Sequence, residues 1–268
     1  MNDMPNDKKS KRIAFVHHKG GTGKTTSCIN ISGYLIKAGK KVLLVDLDPQ
    51  GNATSGLGVE KNSLENSMYD VMIGTTEIKD IILETDAGIH LAPGTLELVG
   101  AEAYMYRRQD RATILKKALE KVKGYYDYIM IDTPPGPRLF GINGIVASDY
   151  VIVALDPGVF ALEGLEDLHL VLDDISESIN VEINAKMAIL TKSVKASFFS
   201  IIRGRPNPVK EIEKEVKKVF EKVFCIPYSI EIYESQLKGI PISHHAPKCK
   251  AGLSYEKIAN EIVRMAYD

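Results

Sequence analysis

Apolar residues recur along this chain in two rhythms. Short, almost unbroken runs occur at Ile13–Val16, within Lys41–Asp48, at 88–92, within Tyr126–Asp132, in V-I-V-A-L-D after Tyr150, and at Lys186–Thr191. Such runs, without polar alternation, predict strands covered on both faces. Between them the apolar positions return at helical spacing. Cys28, Ile29, Ile31, Leu35 and Ile36 form one stripe, closed by Gly39. A second stripe, Ile114, Leu115, Ala118, Leu119 and Val122, belongs to one helix expected over 101–123 and ended by Gly124. Further helices are predicted over Glu211–Phe224, with Ile212, Val216, Val219, Phe220 and Val223 on one face, and in the final stretch, with Leu253, Ile258, Ile262, Val263 and Ala266 buried. Strands and helices in alternation predict an α/β fold: a mostly parallel, twisted sheet of about seven or eight strands with helices on both faces. No linker interrupts the pattern, so residues 12–268 are expected to form a single domain behind a polar, disordered tail, 1–11.

Composition narrows the class. Of 268 residues, 44% are hydrophobic and 26% charged, the balance of an ordinary globular protein. A net charge of −1 gives no global attraction to nucleic acid, so any such binding needs a local patch. Cys28, Cys225 and Cys249 form no C-x-x-C pair, which argues against a disulfide framework and fits a reducing cytoplasm. No run approaches the length of a membrane span.

The chemistry concentrates after the first strand, in H-H-K-G-G-T-G-K-T-T. A strand, a glycine turn and a helix starting at about Lys24 wrap backbone N–H groups around a phosphate. Gly20, Gly21, Thr22, Gly23 and Thr26 would form the cradle, Lys24 would reach the β- and γ-phosphates, and the Thr25 hydroxyl would hold Mg²⁺. The pattern G-x-x-x-x-G-K-[ST] is not met in full, because His18 stands at its first glycine and Lys19 is additional. Other readings are a dinucleotide site, with Asp46 as the ribose acid but Thr26 at the third glycine, a ligand-free turn, and a conventional kinase loop that leaves Lys19 unexplained.

Two further strands end in carboxylates. K-V-L-L-V-D-L-D carries Asp46 and Asp48 into P-Q-G-N-A-T-S-G-L-G, and Y-D-Y-I-M-I-D carries Asp132 into T-P-P-G. Ligands of open α/β sheets sit beyond the carboxyl ends of the strands, where the phosphate loop also lies. Asp132 is therefore the candidate Mg²⁺ carboxylate at a strand tip, although Asp, Pro and Gly also serve as plain turn formers.

The segment K-G-G-T-G-K-T-T resembles the deviant Walker A motif of the ParA/MinD superfamily, and D-L-D-P-Q-G-N-A-T-S-G-L-G and D-T-P-P-G resemble its ParA/Soj branch. The resemblance implies an ATP- and Mg²⁺-dependent switch with slow ATP hydrolysis. It would work as a homodimer that sandwiches two nucleotides and would segregate or position DNA with a ParB-like activator. It also implies roles: Lys19 in trans on the partner's nucleotide, Asp48 on the hydrolytic water, Asp46 in support of the Mg²⁺ shell, and Pro227 at the adenine. A cytoplasmic protein would follow, nucleoid-associated if it binds DNA; MinD-like relatives end in a basic membrane-binding helix, whereas the last helix here has mixed charges and ends at Asp268, so membrane attachment is not expected.

Elsewhere the signal weakens. Lys192–Lys218 holds eight basic residues (Lys192, Lys195, Arg203, Arg205, Lys210, Lys214, Lys217 and Lys218) against three glutamates, either a DNA-backbone patch or a solvated helix face with pairs such as Glu213–Lys217. Where Soj-like proteins carry arginines after a later strand, this chain has Tyr228 and Glu231, and a glutamate there repels phosphate. An adaptor that positions a protein cargo without DNA is thus a second reading, and a metabolic or metallocentre-insertion ATPase a third. Arg107, Arg108 and Arg111 could hold phosphate or face solvent or a subunit. Glu163 and His169 suit an ordinary helix surface. His244, His245 and Cys249 offer too few nearby ligands for a metal site.

Overall fold

The apolar runs become strands β1 (Lys11–Val16), β2 (Val42–Asp46), β3 (Leu83–Glu84), β4 (His90–Ala92), β5 (Tyr128–Asp132), β6 (Tyr150–Leu155), β7 (Met187–Ser193) and β8 (Lys222–Pro227). They form one sheet in the order β3-β4-β2-β5-β1-β6-β7-β8, parallel except for the short β3. The computed structural model describes residues 10–17, 19–136, 138–158, 161–193 and 208–265. Successive residues of the central strands alternate between two apolar layers. Ala14, Val16, Leu43, Val45, Ile129 and Ile131 face one layer, and Ile13, Phe15, Val42, Leu44, Tyr128 and Met130 the other. Two buried faces explain the unbroken hydrophobicity of these strands.

The helices are α1 (Lys24–Lys37), α2 (Asn52–Gly56), α3 (Met68–Ile73), α4 (Leu98–Met105), α5 (Ile114–Leu119), α6 (Leu139–Ala147), α7 (Ala161–Ile179), α8 (Pro208–Val219), α9 (Ile230–Leu237), α10 (Ile242–His245) and α11 (Lys250–Met265). Residues of α3 to α8 pack on the first layer, and those of α1, α10 and α11 on the second. This is the expected arrangement, with eight strands and helices on both faces.

Four expectations need correction. The helix expected over 101–123 is broken into α4 and α5, because Asp110 gathers the chain: its carboxylate takes Arg108 at 2.9 and 3.0 Å and Lys117 at 2.8 Å, and its carbonyl accepts the Thr113 N–H. Arg108 is therefore a structural cation. The helix expected over Glu211–Phe224 begins at Pro208, which suits a first helical position, and stops at Val219. Pairing of β8 with β7 (Ala188 opposite Val223) claims the following residues, so Val223 lies in a strand and Val219 is exposed. In α11 the buried face includes Tyr255, whereas Leu253 points outward. The tail expected over 1–11 ends sooner: Lys11 opens β1, and the Ser10 hydroxyl donates to Tyr126 O at 2.6 Å. His18, Lys195, Arg203, Arg205 and Ala266 and the side chains of Glu163 and His169 lie outside the described residues.

Candidate nucleotide site

β1 and β2 both flank β5, and the register places Asp46 beside Asp132 and Asp132 beside Phe15. The phosphate loop, Asp46–Asp48 and Asp132 therefore meet at one edge of the sheet, beyond the carboxyl ends of three adjacent strands. The loop turns through Gly21 and Gly23, whose φ of +74° and +87° suit glycine. Gly23 caps α1 in the left-handed region, with no side-chain cap and no acidic residue in the first turn. The first N–H groups of α1 and the positive end of its dipole are thus left to an anion.

A floor fixes the loop from below. The Thr191 hydroxyl donates to Thr22 O at 2.9 Å, and Lys192 Nζ donates to Gly21 O at 2.8 Å while pairing with Asp156 at 3.2 Å. Gln236 Nε2 donates to Thr26 Oγ1 at 3.0 Å, tying α9 to the loop. Lys24 is buried, with Nζ 3.4 Å from Lys19 O. Burial pushes its pKa down, and the carboxylates of Asp132 and Asp48 oppose the shift.

The carboxylates divide by what holds them. Asp46 is fully buried and accepts from Thr54 N (2.9 Å), Thr54 Oγ1 (2.8 Å) and Asp48 N (3.2 Å). Burial pushes it up to about 6 against the pull of those donors. The close neighbour on its other side is Gly94, where a Cβ would lie 2.6 Å from Asp46 O. Asp132 is equally buried, but neither carboxylate oxygen has a hydrogen-bond partner among the described residues. Burial, then Asp46, drive its pKa well up; Thr25 and Lys24 oppose this without completing a bond of sound geometry. An orphaned buried carboxylate facing a threonine hydroxyl and a lysine fits a cation bound with water and phosphate oxygens, the habit of Mg²⁺. Among the described residues no cluster of three or more His, Cys, Asp or Glu forms a protein-only metal cage, and a hydrated Mg²⁺ does not need one.

Over the loop lies a cleft of about 800 Å³ lined by Gly20, Gly21, Gly23, Lys24, Thr25, Thr26 and Asp48 from the predicted set. Thr22 is buried, Asp46 and Asp132 stand at the strand tips, and Lys19 is exposed beside the loop. Pro227 lines an adjoining recess of about 100 Å³ that shares Gly23, Thr26, Lys192 and Gln236 with the cleft. The structure thus brings the three sequence motifs together. It adds Thr54, Thr191, Lys192, Gln236 and Arg138, which the sequence reading did not assign to the site. Lys192 had one local signal, a basic residue directly after an apolar run; the others depend on contacts from distant segments.

A family model described as an AAA domain (AAA_31) matches residues 10–189. The chromosome-partitioning ATPase Soj of Treponema pallidum is 38% identical over 257 residues, spanning 94% of this chain and 97% of that protein. This chain belongs to the ParA/MinD superfamily of P-loop ATPases, in its Soj/ParA branch. Two solved structures of the fold carry nucleotide and metal. The cobyrinic acid a,c-diamide synthase of Mycobacterium smegmatis, with an ATP analog and magnesium, superposes with a TM-score of 0.82 at 28% identity, covering 95% of this chain and 94% of that one. The septum site-determining protein MinD of Pyrococcus horikoshii, with Mg-ADP, gives 0.76 at 26% identity, with coverage of 96% and 97%. No helix among the described residues is long and apolar enough to cross a membrane.

Proposed function

We propose that this ATPase is an ATP-gated dimer switch that partitions or positions a cargo. The observation that carries the reading is the orphaned Asp132 carboxylate at the tip of β5, beside the uncapped N-terminus of α1 and the buried Lys24. ATP would lie with its phosphates on 20–26 and its base toward the recess at Pro227. Thr25 and Asp132 would hold Mg²⁺, which supplies charge neutralisation at the phosphates. Asp46 supports that shell indirectly, since its own oxygens are engaged by Thr54 and the Asp48 N–H. Asp48 lines the cleft with one carboxylate oxygen accepting Gln50 N at 3.0 Å, which leaves the other to orient the attacking water. Positioning and charge stabilisation are the main sources of rate in phosphoryl transfer.

Exposed Lys19 is suited to reach a nucleotide on a second subunit. Lys24→Ala should abolish ATP binding, read by calorimetry. Lys19→Ala should keep binding but lose ATP-dependent dimerisation or hydrolysis; dimers and turnover intact in that variant would sink the trans role.

The Soj relative of Treponema pallidum is a chromosome-partitioning ATPase, so DNA, handled with a ParB-like activator, is the first assignment for this chain. A second reading, a protein cargo without direct DNA contact, is favoured by one feature. Tyr228 is 58% exposed next to α9, whose first turn carries Glu231, so this face offers aromatic and acidic groups to a partner. Salt-sensitive binding of the ATP-bound protein to random duplex DNA supports the first assignment. No binding at low salt supports the second.

A further inference from the structure

Arg138 follows the segment Asp132–Gly136 and caps α6. It lines the nucleotide cleft on the wall that also contains Pro134, Pro135 and Phe140. Its side chain is exposed and makes no hydrogen bond or ion pair with any described residue, whereas Arg12 and Arg108 are each paired with a carboxylate. The first turn of α6 has no acidic residue, and the helix has no side-chain cap. A cation at that end of a helix opposes the dipole. The segment carrying it is tied to the start of the phosphate loop, since Gly136 N donates to His17 O at 3.4 Å and Gly136 takes a φ of +89°. Water satisfies an exposed guanidinium in the free protein; on the wall of a cleft that already contains Lys24, the fork of its N–H groups matches phosphate oxygens and is open to take one.

We propose that Arg138 contacts the terminal phosphate of ATP in cis. It holds the triphosphate, and it stabilises charge as the oxygen of the attacking water bonds to the γ-phosphorus, its proton passes to a phosphate oxygen, and the bridging oxygen departs with its electron pair on ADP. This rests on the phosphate-loop reading above. The cleft also contains the carboxylate of Glu102, whose Oε1 is buried without a partner among the described residues. A purely structural Arg138 would serve that carboxylate instead.

The test measures dissociation constants for ADP and for a non-hydrolysable ATP analogue, both with Mg²⁺, and single-turnover hydrolysis. Arg138→Gln should weaken the analogue by about tenfold, leave ADP within about twofold, and slow hydrolysis on the order of a hundredfold or more. Arg138→Lys should recover part of the analogue affinity and little of the rate, because a point charge lacks the fork. Glu102→Gln should leave the preference for the analogue over ADP unchanged, and none of the three should lower the melting temperature. Unchanged affinity and rate in Arg138→Gln would overturn the proposal, as would an equal loss in Glu102→Gln. Lys24→Ala serves as the control: if it retained both nucleotides, the phosphate-loop reading itself would fail and this assignment with it.

Discussion

Gly23 and Asp46 show how single residues set the site. At Gly23 the backbone is left-handed, and a Cβ would lie 2.8 Å from Thr191 Cγ2, in the side chain that anchors the loop. Gly23→Ala therefore meets both torsional strain and a clash, with an expected cost of about 1–3 kcal/mol and a large loss of nucleotide affinity. Thermal melting with and without ADP checks both. Asp46 gives a pH signature. Its folded value is about 6 against an ordinary 3.8, so the unfolded chain releases this proton first and folding loses stability as pH rises between those values. Above pH 6 the cost reaches roughly 3 kcal/mol, and below 3.8 it is absent. Asp46→Asn, which keeps an acceptor for Thr54, should show no such fall. Its stability relative to the parent should rise from pH 4 to pH 7 in nucleotide-free denaturant titrations; a constant difference would remove Asp46 as the cause.

Elements were legible in the sequence to the extent that one local rule governed them. The strands that carry the site stood out because both faces are buried, which leaves a continuous apolar run with a carboxylate at its end. The phosphate loop stood out because glycine, lysine and threonine at fixed spacing have few other uses. The split between α4 and α5 was not legible, since it depends on Asp110 drawing in Arg108 and Lys117 rather than on any Pro or Gly. The end of α8 was hidden for a related reason: helical periodicity continues through Val223, but sheet pairing takes that residue. Packing against α1 set the face of α11. Tyr255 packs beneath α1 with its hydroxyl 3.4 Å from Ser27 Oγ, and Leu253 is outside. Tyr255→Ala should therefore cost about 3–5 kcal/mol, and Leu253→Ala stay within about 0.5 kcal/mol. Equal losses in denaturant melts would contradict the assigned face. The roles of Thr54, Thr191 and Gln236 were beyond sequence reading, because each is defined by a partner brought in from another segment.

At the scale of the molecule, the sheet order joins three motifs at one edge of the sheet. Lys19 is exposed beside the cleft, and in the proposed switch a second subunit would use it. α9 links the cleft to the surface: Gln236 bonds Thr26 on the inside, while Ile230, Tyr233 and Leu237 are exposed on the outside. A partner on that face would therefore sit one helix away from the nucleotide. Whether the cargo is DNA or protein, the proposed switch has ATP, and not ADP, close two subunits through Lys19. Light scattering after size exclusion in Mg²⁺ tests it most directly, comparing ADP with a non-hydrolysable ATP analogue in the parent chain and in Lys19→Ala. The expected result is a monomer with ADP, a doubled mass with the analogue, and no doubling in Lys19→Ala. The same mass with both nucleotides, or a doubled mass that survives in Lys19→Ala, would contradict it.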